Sequence, residues 1–313
     1  MQQAGFQPVR KKTPLVKYIY KKRYLYLMCI PGIAYLIVFH YVPLYGIIMA
    51  FQNFSFKKGI FGSPFNHFAN FRELFGSSMF YRVLTNSLYL SISRLVFSFP
   101  VPILLALLLN EIHLKAYKKT AQTLMYLPHF LSWVVLGGIV TNLLSMTDGI
   151  VNNLIEATGH PKINFLGSTD WFRTVIIGSH IWKEAGWGTI IYLASLSSVN
   201  PEYYEAARVD GATRFQQLVY ITLPSISGTI VIMLILAIGG LMNNGFEQIY
   251  LFKNTLNQSV AEVFETYVYS IGIAGGRFSY STAVGLFKNV VAFVLVFSSN
   301  RIAQKLGRPS FYA

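Results

Sequence analysis

Long apolar blocks alternate with short polar connections along this chain, and that alternation predicts helices that cross a membrane. A spanning helix needs about 20 mainly apolar residues. Six stretches qualify: 26–51, 87–109, 124–145, 174–196, 226–245 and 282–301. Pro31, Pro43, Pro100, Pro102, Pro128 and the Gly239–Gly240 pair interrupt them. In a membrane, the backbone groups freed at such places are satisfied by neighbouring helices or by water in a cavity. The interruptions therefore suggest a bundle around a cavity. The apolar run from Tyr24 greatly exceeds the about 7–15 residues of a secretory signal, and no A-x-A-like cleavage site follows it. It reads as a retained first span.

The connections differ in character. The stretch 52–86 is long and aromatic, and residues 71–75 (FRELF) look like a short surface helix. The stretch 146–173 is rich in Asn and Gly and reads as a compact cap. The connection between the fourth and fifth blocks is polar and patterned: NPEYYEAARVDGATRFQQLVYITLP, residues 200–224. Asn200 suits an N-cap, Pro201 the first helical position, and Glu202 the positive helix end. A short helix is expected through Glu205, Ala206 and Ala207. After Asp210, Gly211 can take the left-handed conformation that stops it. Thr213 can cap a second short helix, 214–220, leading to Leu223 and Pro224. On local physics alone, this is also what an amphipathic connector would look like, with Tyr203, Tyr204, Ala207, Phe215, Leu218 and Val219 resting against the bundle.

Composition agrees with a membrane protein. Of 313 residues, 53% are hydrophobic, 16% aromatic and 12% charged, against about 25% charged in soluble domains. The net charge of +14 would suit nucleic acid, but its distribution does not. Arg10, Lys11, Lys12, Lys17, Lys21, Lys22 and Arg23 precede the first block, and most other basic residues sit at block ends. There they set orientation and meet anionic headgroups. With the N-terminus inside, fifteen Lys and Arg lie on the cytoplasmic side and eight outside, which predicts N-in/C-in topology. The expected organisation is a basic cytoplasmic segment 1–23, a single transmembrane domain 24–305 and a cytoplasmic tail 306–313. Cys29 is the only cysteine, so neither an internal disulfide nor a cysteine metal site is available.

Catalytic patterns are missing. The sequence contains no G-x-x-x-x-G-K-[ST] loop, no H-E-x-x-H spacing and no G-x-S-x-G elbow. Its twelve carboxylates fall mostly in connections, and Glu184, beside Lys183, is the plausible intramembrane one. Uphill transport would draw its energy from another protein. Two other readings stay open. An ion-driven secondary transporter would not need the glycine-centred loop, and a membrane-embedded glycan-processing enzyme would need acid–base residues that the chain scarcely offers.

Glu205-Ala206-Ala207, Gly211, Ile221 and Leu223-Pro224 stand at spacings that resemble the EAA signature of ABC import permeases. The segments PGIAYLIVFHYVPLYGIIMAFQNF, IGGLMNNGFEQIYLF and STAVGLFKNVV look like the oligosaccharide and polysaccharide branch of carbohydrate-uptake permeases. This resemblance implies an all-α integral membrane fold of six transmembrane helices, with a cytoplasmic two-helix coupling loop between spans four and five. It implies a multi-pass protein of the bacterial cytoplasmic membrane, surrounded by lipid and working by alternating access. Its implied partners are a second, homologous permease in a heterodimer, two ATPase subunits and an extracytoplasmic solute-binding protein. ATP and Mg would be bound by those ATPases, leaving no cofactor and no metal in this chain. Glu205 would make the polar contact with the ATPase, Ala206 and Ala207 would permit close approach, and Asp210, Gly211, Leu223 and Pro224 would shape the loop.

For the substrate path the candidates are His180, Lys183, Glu184 and Trp187 in the fourth block, with Asn243 and Asn244 near the end of the fifth. Intramembrane charges are functional candidates by default, and aromatic rings cover the apolar faces of sugars while polar groups bind hydroxyls. The plainer alternative is packing. Lys183 and Glu184 point about 100° apart on a helix, Trp187 can simply pack, and the two asparagines can join helices. Arg94 and Lys288 are expected to be structural or to snorkel. Lys183 and the basic character of the chain favour an acidic glycan of the uronate kind.

Overall fold

A computed structural model describes Tyr18 and residues 20–307. Most of the basic N-terminal segment and of the tail expected from sequence lies outside these residues. Among the described residues there is no β-strand, only an isolated bridge between Gln52 and Phe65. The long helices are α1 (Arg23–Phe51), α2 (Ser78–Asn110), α3 (Lys115–Phe130) and α4 (Trp133–Leu143). They continue as α5 (Thr169–Ser197), the short α6 (Pro201–Val209), α7 (Arg214–Gly239), the short α8 (Phe246–Phe252) and α9 (Phe278–Lys305).

Four of these, α1, α2, α7 and α9, are long and apolar enough to cross a membrane, and the bent pair α3–α4 would be a fifth. The helix α5 has the length, at 29 residues, but Arg173, Lys183 and Glu184 lower its hydropathy. The surface helix expected at 71–75 is present as Ala69–Gly76. An ion pair between Arg277 and Glu73, 2.5 Å apart, ties it to the start of α9. The Glu73 hydrogen bond raises the Arg277 pKa above its ordinary value.

Three boundaries differ from the sequence reading. The block 124–145 is not one helix: α3 ends in a tight 3-10 turn over Leu127–Phe130 that contains Pro128, and α4 leaves at 104°. Leu131 and Ser132 are extended between them, and Ser132 caps α4 by accepting from Val135 N–H at 3.3 Å. The second short helix of the loop is not separate either. Arg214–Gln217 passes through a π-turn, Leu218–Thr222, into the helix Leu223–Gly239. Proline explains the turn, because its ring clashes with the carbonyl four residues back. For Pro224 that residue is Tyr220, inside the π-turn, and α1 repeats the device with Phe39 inside the π-turn Ile37–Tyr41 ahead of Pro43. Finally, α7 stops at Gly239, so Asn243 and Asn244 lie in the following turn, where Gly245 has φ +76°.

The helix α5 is the centre of the bundle. A Cβ at Gly186 would overlap the Met125 carbonyl oxygen on α3, and one at Gly188 would stand 2.9 Å from the Pro102 ring on α2. Phe172 and Ile176 of α5 pack with Leu136, Val140, Ile249 and Phe252, while Tyr192 and Leu196 pack with Ala106 and Ile226. By contrast, residues 20–45 are all exposed. The cap expected at 146–173 contains the helix Ile150–Ala157. It is closed by the buried Asn152, whose amide donates to the Leu144, Ser145 and Ile163 carbonyls.

Candidate coupling surface and central cleft

The connection after α5 folds as its residues dictate. The Asn200 side chain accepts from Glu202 N–H at 3.0 Å, Pro201 opens α6, and the helix runs to Val209. Gly211 then takes φ +78°. Ala212 N–H donates to Ala207 C=O at 2.8 Å and Gly211 N–H to Arg208 C=O at 3.1 Å. This is the paired Schellman closure of a helix, which needs a left-handed residue at its turn. Thr213 and Gln216 form a reciprocal capping box at the start of α7.

The result is a rigid corner. Tyr204 OH meets Thr222 Oγ1 at 3.0 Å, and Gln217 Nε2 donates to Ala212 C=O at 3.0 Å. Glu205, Ala206, Asp210, Gly211 and Pro224 are exposed, whereas Ala207 and Leu223 are half-buried. Tyr203, Val209, Phe215 and Tyr220 present large apolar side chains outward, Val209 at 89% exposure. Of the six residues that an amphipathic connector would rest on the bundle, Tyr203 and Phe215 therefore face away. An apolar patch on a rigid polar corner is what a protein contact uses.

The second feature is a cleft of 430 Å³ enclosed by α2, α5, the end of α7 and the turn after it. Of the sequence candidates, His180, Glu184, Trp187 and Asn243 line it, and Lys183 and Asn244 do not. Lys183 is 7% exposed, and its ammonium donates to the carbonyls of Leu131 at 2.6 Å, His129 at 2.7 Å and Pro128 at 3.4 Å. It closes the break between α3 and α4. Asn244 is fully buried: it donates to Ser87 C=O at 3.3 Å and accepts from Ser91 Oγ at 3.0 Å, joining the turn to α2.

Glu184 meets His129 Nδ1 at 2.8 Å, and the His129 ring stacks on Trp187 at 4.4 Å and 3°. The indole is thereby held with 43% of its surface exposed. Lys288 is structural, as expected, pairing with Glu265 at 2.5 Å. Arg94, expected to be structural or snorkelling, joins α2 to the turn and α8 through Asn244 and Gln248 and also lines the cleft. Its signal was already present as a charge in the middle of an apolar block.

Comparison with known proteins gives the family of the chain. Residues 74–308 match the family described as "Binding-protein-dependent transport system inner membrane component". The chain is 48% identical over 307 residues to the polygalacturonan/rhamnogalacturonan transport system permease protein YteP of Bacillus subtilis (strain 168), covering 98% of this chain and 95% of that protein. It is similar to a chain in the crystal structure of a bacterial ABC transporter involved in the import of the acidic polysaccharide alginate. There the TM-score is 0.87 and the identity 42%, over 94% of this chain and 99% of the other. A second structure, of a bacterial alginate ABC transporter in complex with an alginate pentasaccharide-bound periplasmic protein, matches at a TM-score of 0.87 and 41% identity, over 94% and 98%.

Proposed function

The chain belongs to the binding-protein-dependent transport system inner membrane components, and from that premise we propose that it is a permease subunit of an ATP-driven importer of acidic oligosaccharides or polysaccharide. The rigid corner Asn200–Thr213, with its outward Tyr203 and Val209 and with Phe215 outward at the start of α7, is the observation that carries this reading. A secondary transporter has no use for such a surface. ATP hydrolysis is assigned to separate subunits that bind this corner, and substrate delivery to an extracytoplasmic binding protein.

Six crossings are proposed: α1, α2, the bent α3–α4 pair, α5, α7 and α9. The charged residues in the middle of α5 are compatible with a crossing because Lys183 is buried against three carbonyls and Glu184 is paired with His129. An even number of crossings puts both ends on one side, and four crossings return the corner 200–213 to that same side, the cytoplasm. The exposed α1 offers a face for a second permease, which would complete the path around the cleft. The acidic cargo is supported by the relatives named for polygalacturonan and alginate.

The test is affinity purification of the tagged chain in mild detergent. Recovery of an ATPase and a second permease, lost when the turn at Gly211 is disrupted, is the expected result. A stable lone chain whose uptake follows an ion gradient would favour the secondary-transporter reading.

A further inference from the structure

We propose that Arg94 and Ser98 form a carboxylate-reading station in the central cleft, taking the acid group of each uronate unit that passes. The inference rests on the importer reading above and assigns its specificity to two residues. Arg94 carries five N–H donors. Nη1 donates to the Asn244 carbonyl at 2.7 Å and Nη2 to Gln248 Oε1 at 2.6 Å. Gln248 is itself fixed by the Ile176 carbonyl at 2.8 Å and by Ser179 Oγ at 2.9 Å. The guanidinium is therefore held in place, while its buried Nε has no partner among the described residues.

Ser98 lies one turn further along α2, and its hydroxyl is likewise buried without a partner among the described residues. Residues four apart share a helix face, and both line the same cleft. Buried polar groups are normally satisfied, so two unpaired donors on adjacent turns mark where a ligand acceptor belongs.

The charge balance points to an anion. Among the described residues Arg94 forms no ion pair: both of its hydrogen-bond partners are neutral. The nearby carboxylates are engaged elsewhere, Glu184 with His129 and Glu265 with Lys288. A buried cation whose hydrogen-bond partners are neutral, and which feels Glu265 only at longer range, is costly, and a carboxylate completes it through strong charge-assisted bonds. The cleft volume of 430 Å³ lies within the roughly 300–1,000 Å³ of small-ligand sites. Trp187, held flat by His129, presents a ring face for the apolar side of the sugar.

The test uses the whole importer in proteoliposomes, with its partner permease, ATPases and binding protein. Two probes of nearly equal size are compared, trigalacturonate and its methyl ester, which differ in charge. Because the binding protein is the same in every preparation, a change in the acid-to-ester ratio of uptake efficiency belongs to the permease. Arg94→Gln should reduce the wild-type preference for the acid by about tenfold, the scale of one lost charged hydrogen bond, and Arg94→Lys, which keeps the charge but not the forked donors, should lose less than Arg94→Gln. Ser98→Ala removes a hydroxyl that has no protein partner, so the ratio should fall several-fold with an unchanged melting temperature. If Arg94→Gln does not assemble, the Ser98→Ala ratio decides alone. A wild-type ratio in these variants overturns the station and leaves the importer reading intact. Absence of ATP-dependent uptake of either probe by the wild type overturns both.

Discussion

The ammonium of Lys183 donates to the Leu131 carbonyl at 2.6 Å, joining the middle of α5 to the corner where α3 turns into α4. With His129 and Pro128 it engages three carbonyls, all the donors an ammonium has. The side chain that sequence alone favoured for an acidic sugar is thus a structural clasp, and the cation facing the cleft is Arg94.

Lys183→Met should therefore act on stability. It leaves the His129 and Leu131 carbonyls without their side-chain donor, at about 1–3 kcal/mol each, while the Pro128 carbonyl keeps Leu131 N–H. The melting temperature of the purified protein should fall clearly, while the protein that remains folded keeps its preference between acidic and neutral glycans.

Gly211 separates backbone conformation from bulk. Nothing lies within 4 Å of a Cβ built there, but φ is +78°. Gly211→Val should cost more than the about 1–2 kcal/mol of an ordinary residue in this region and distort the corner, lowering ATPase recovery in co-purification. Gly211→Asn, which tolerates left-handed geometry, should restore most of it. Equal loss in both would mean that the turn is not what the ATPase reads.

Gly186 has no room for a side chain, since a Cβ would overlap the Met125 carbonyl. Gly186→Ala should force α3 and α5 apart and cost about 1–3 kcal/mol or more. Reduced thermal stability together with impaired uptake is expected, measured on the purified complex and in proteoliposomes.

The Lys288–Glu265 pair joins α9 to the short helix Phe264–Val268, with side chains 20% and 10% exposed. Removing either partner alone should destabilise by about 3–5 kcal/mol, because it strands a buried charge. Replacing both with apolar residues of similar size should cost much less, and a double-mutant cycle measured by denaturation would show the non-additivity.

Much of this architecture is legible in sequence because it depends on neighbours along the chain. The ends of α6 follow from Asn200, Pro201 and Gly211, and the apolar blocks locate most long helices. The break at Leu131–Ser132 is not legible, because hydropathy runs on unbroken across it and its stabilising cation stands some fifty residues later, at Lys183. Arg94 is hidden for a similar reason. Its partners, Asn244 in the turn and Gln248 in α8, stand about 150 residues away, so a lone charge in an apolar run cannot be told from a snorkelling one. The end of α7 at Gly239 is not legible either, because Leu241 and Met242 continue the apolar pattern past the helix.

The two glycines of α5 set the mechanics of the bundle. At Gly186 and Gly188 the helix touches α3 and α2 with no flexible side chain between them, so there is no cushion to absorb a displacement. Only Ser198 and Val199 separate its last turn from Asn200, the cap of α6. A push on the corner must therefore reach the walls of the cleft as one stiff stroke with almost no backlash.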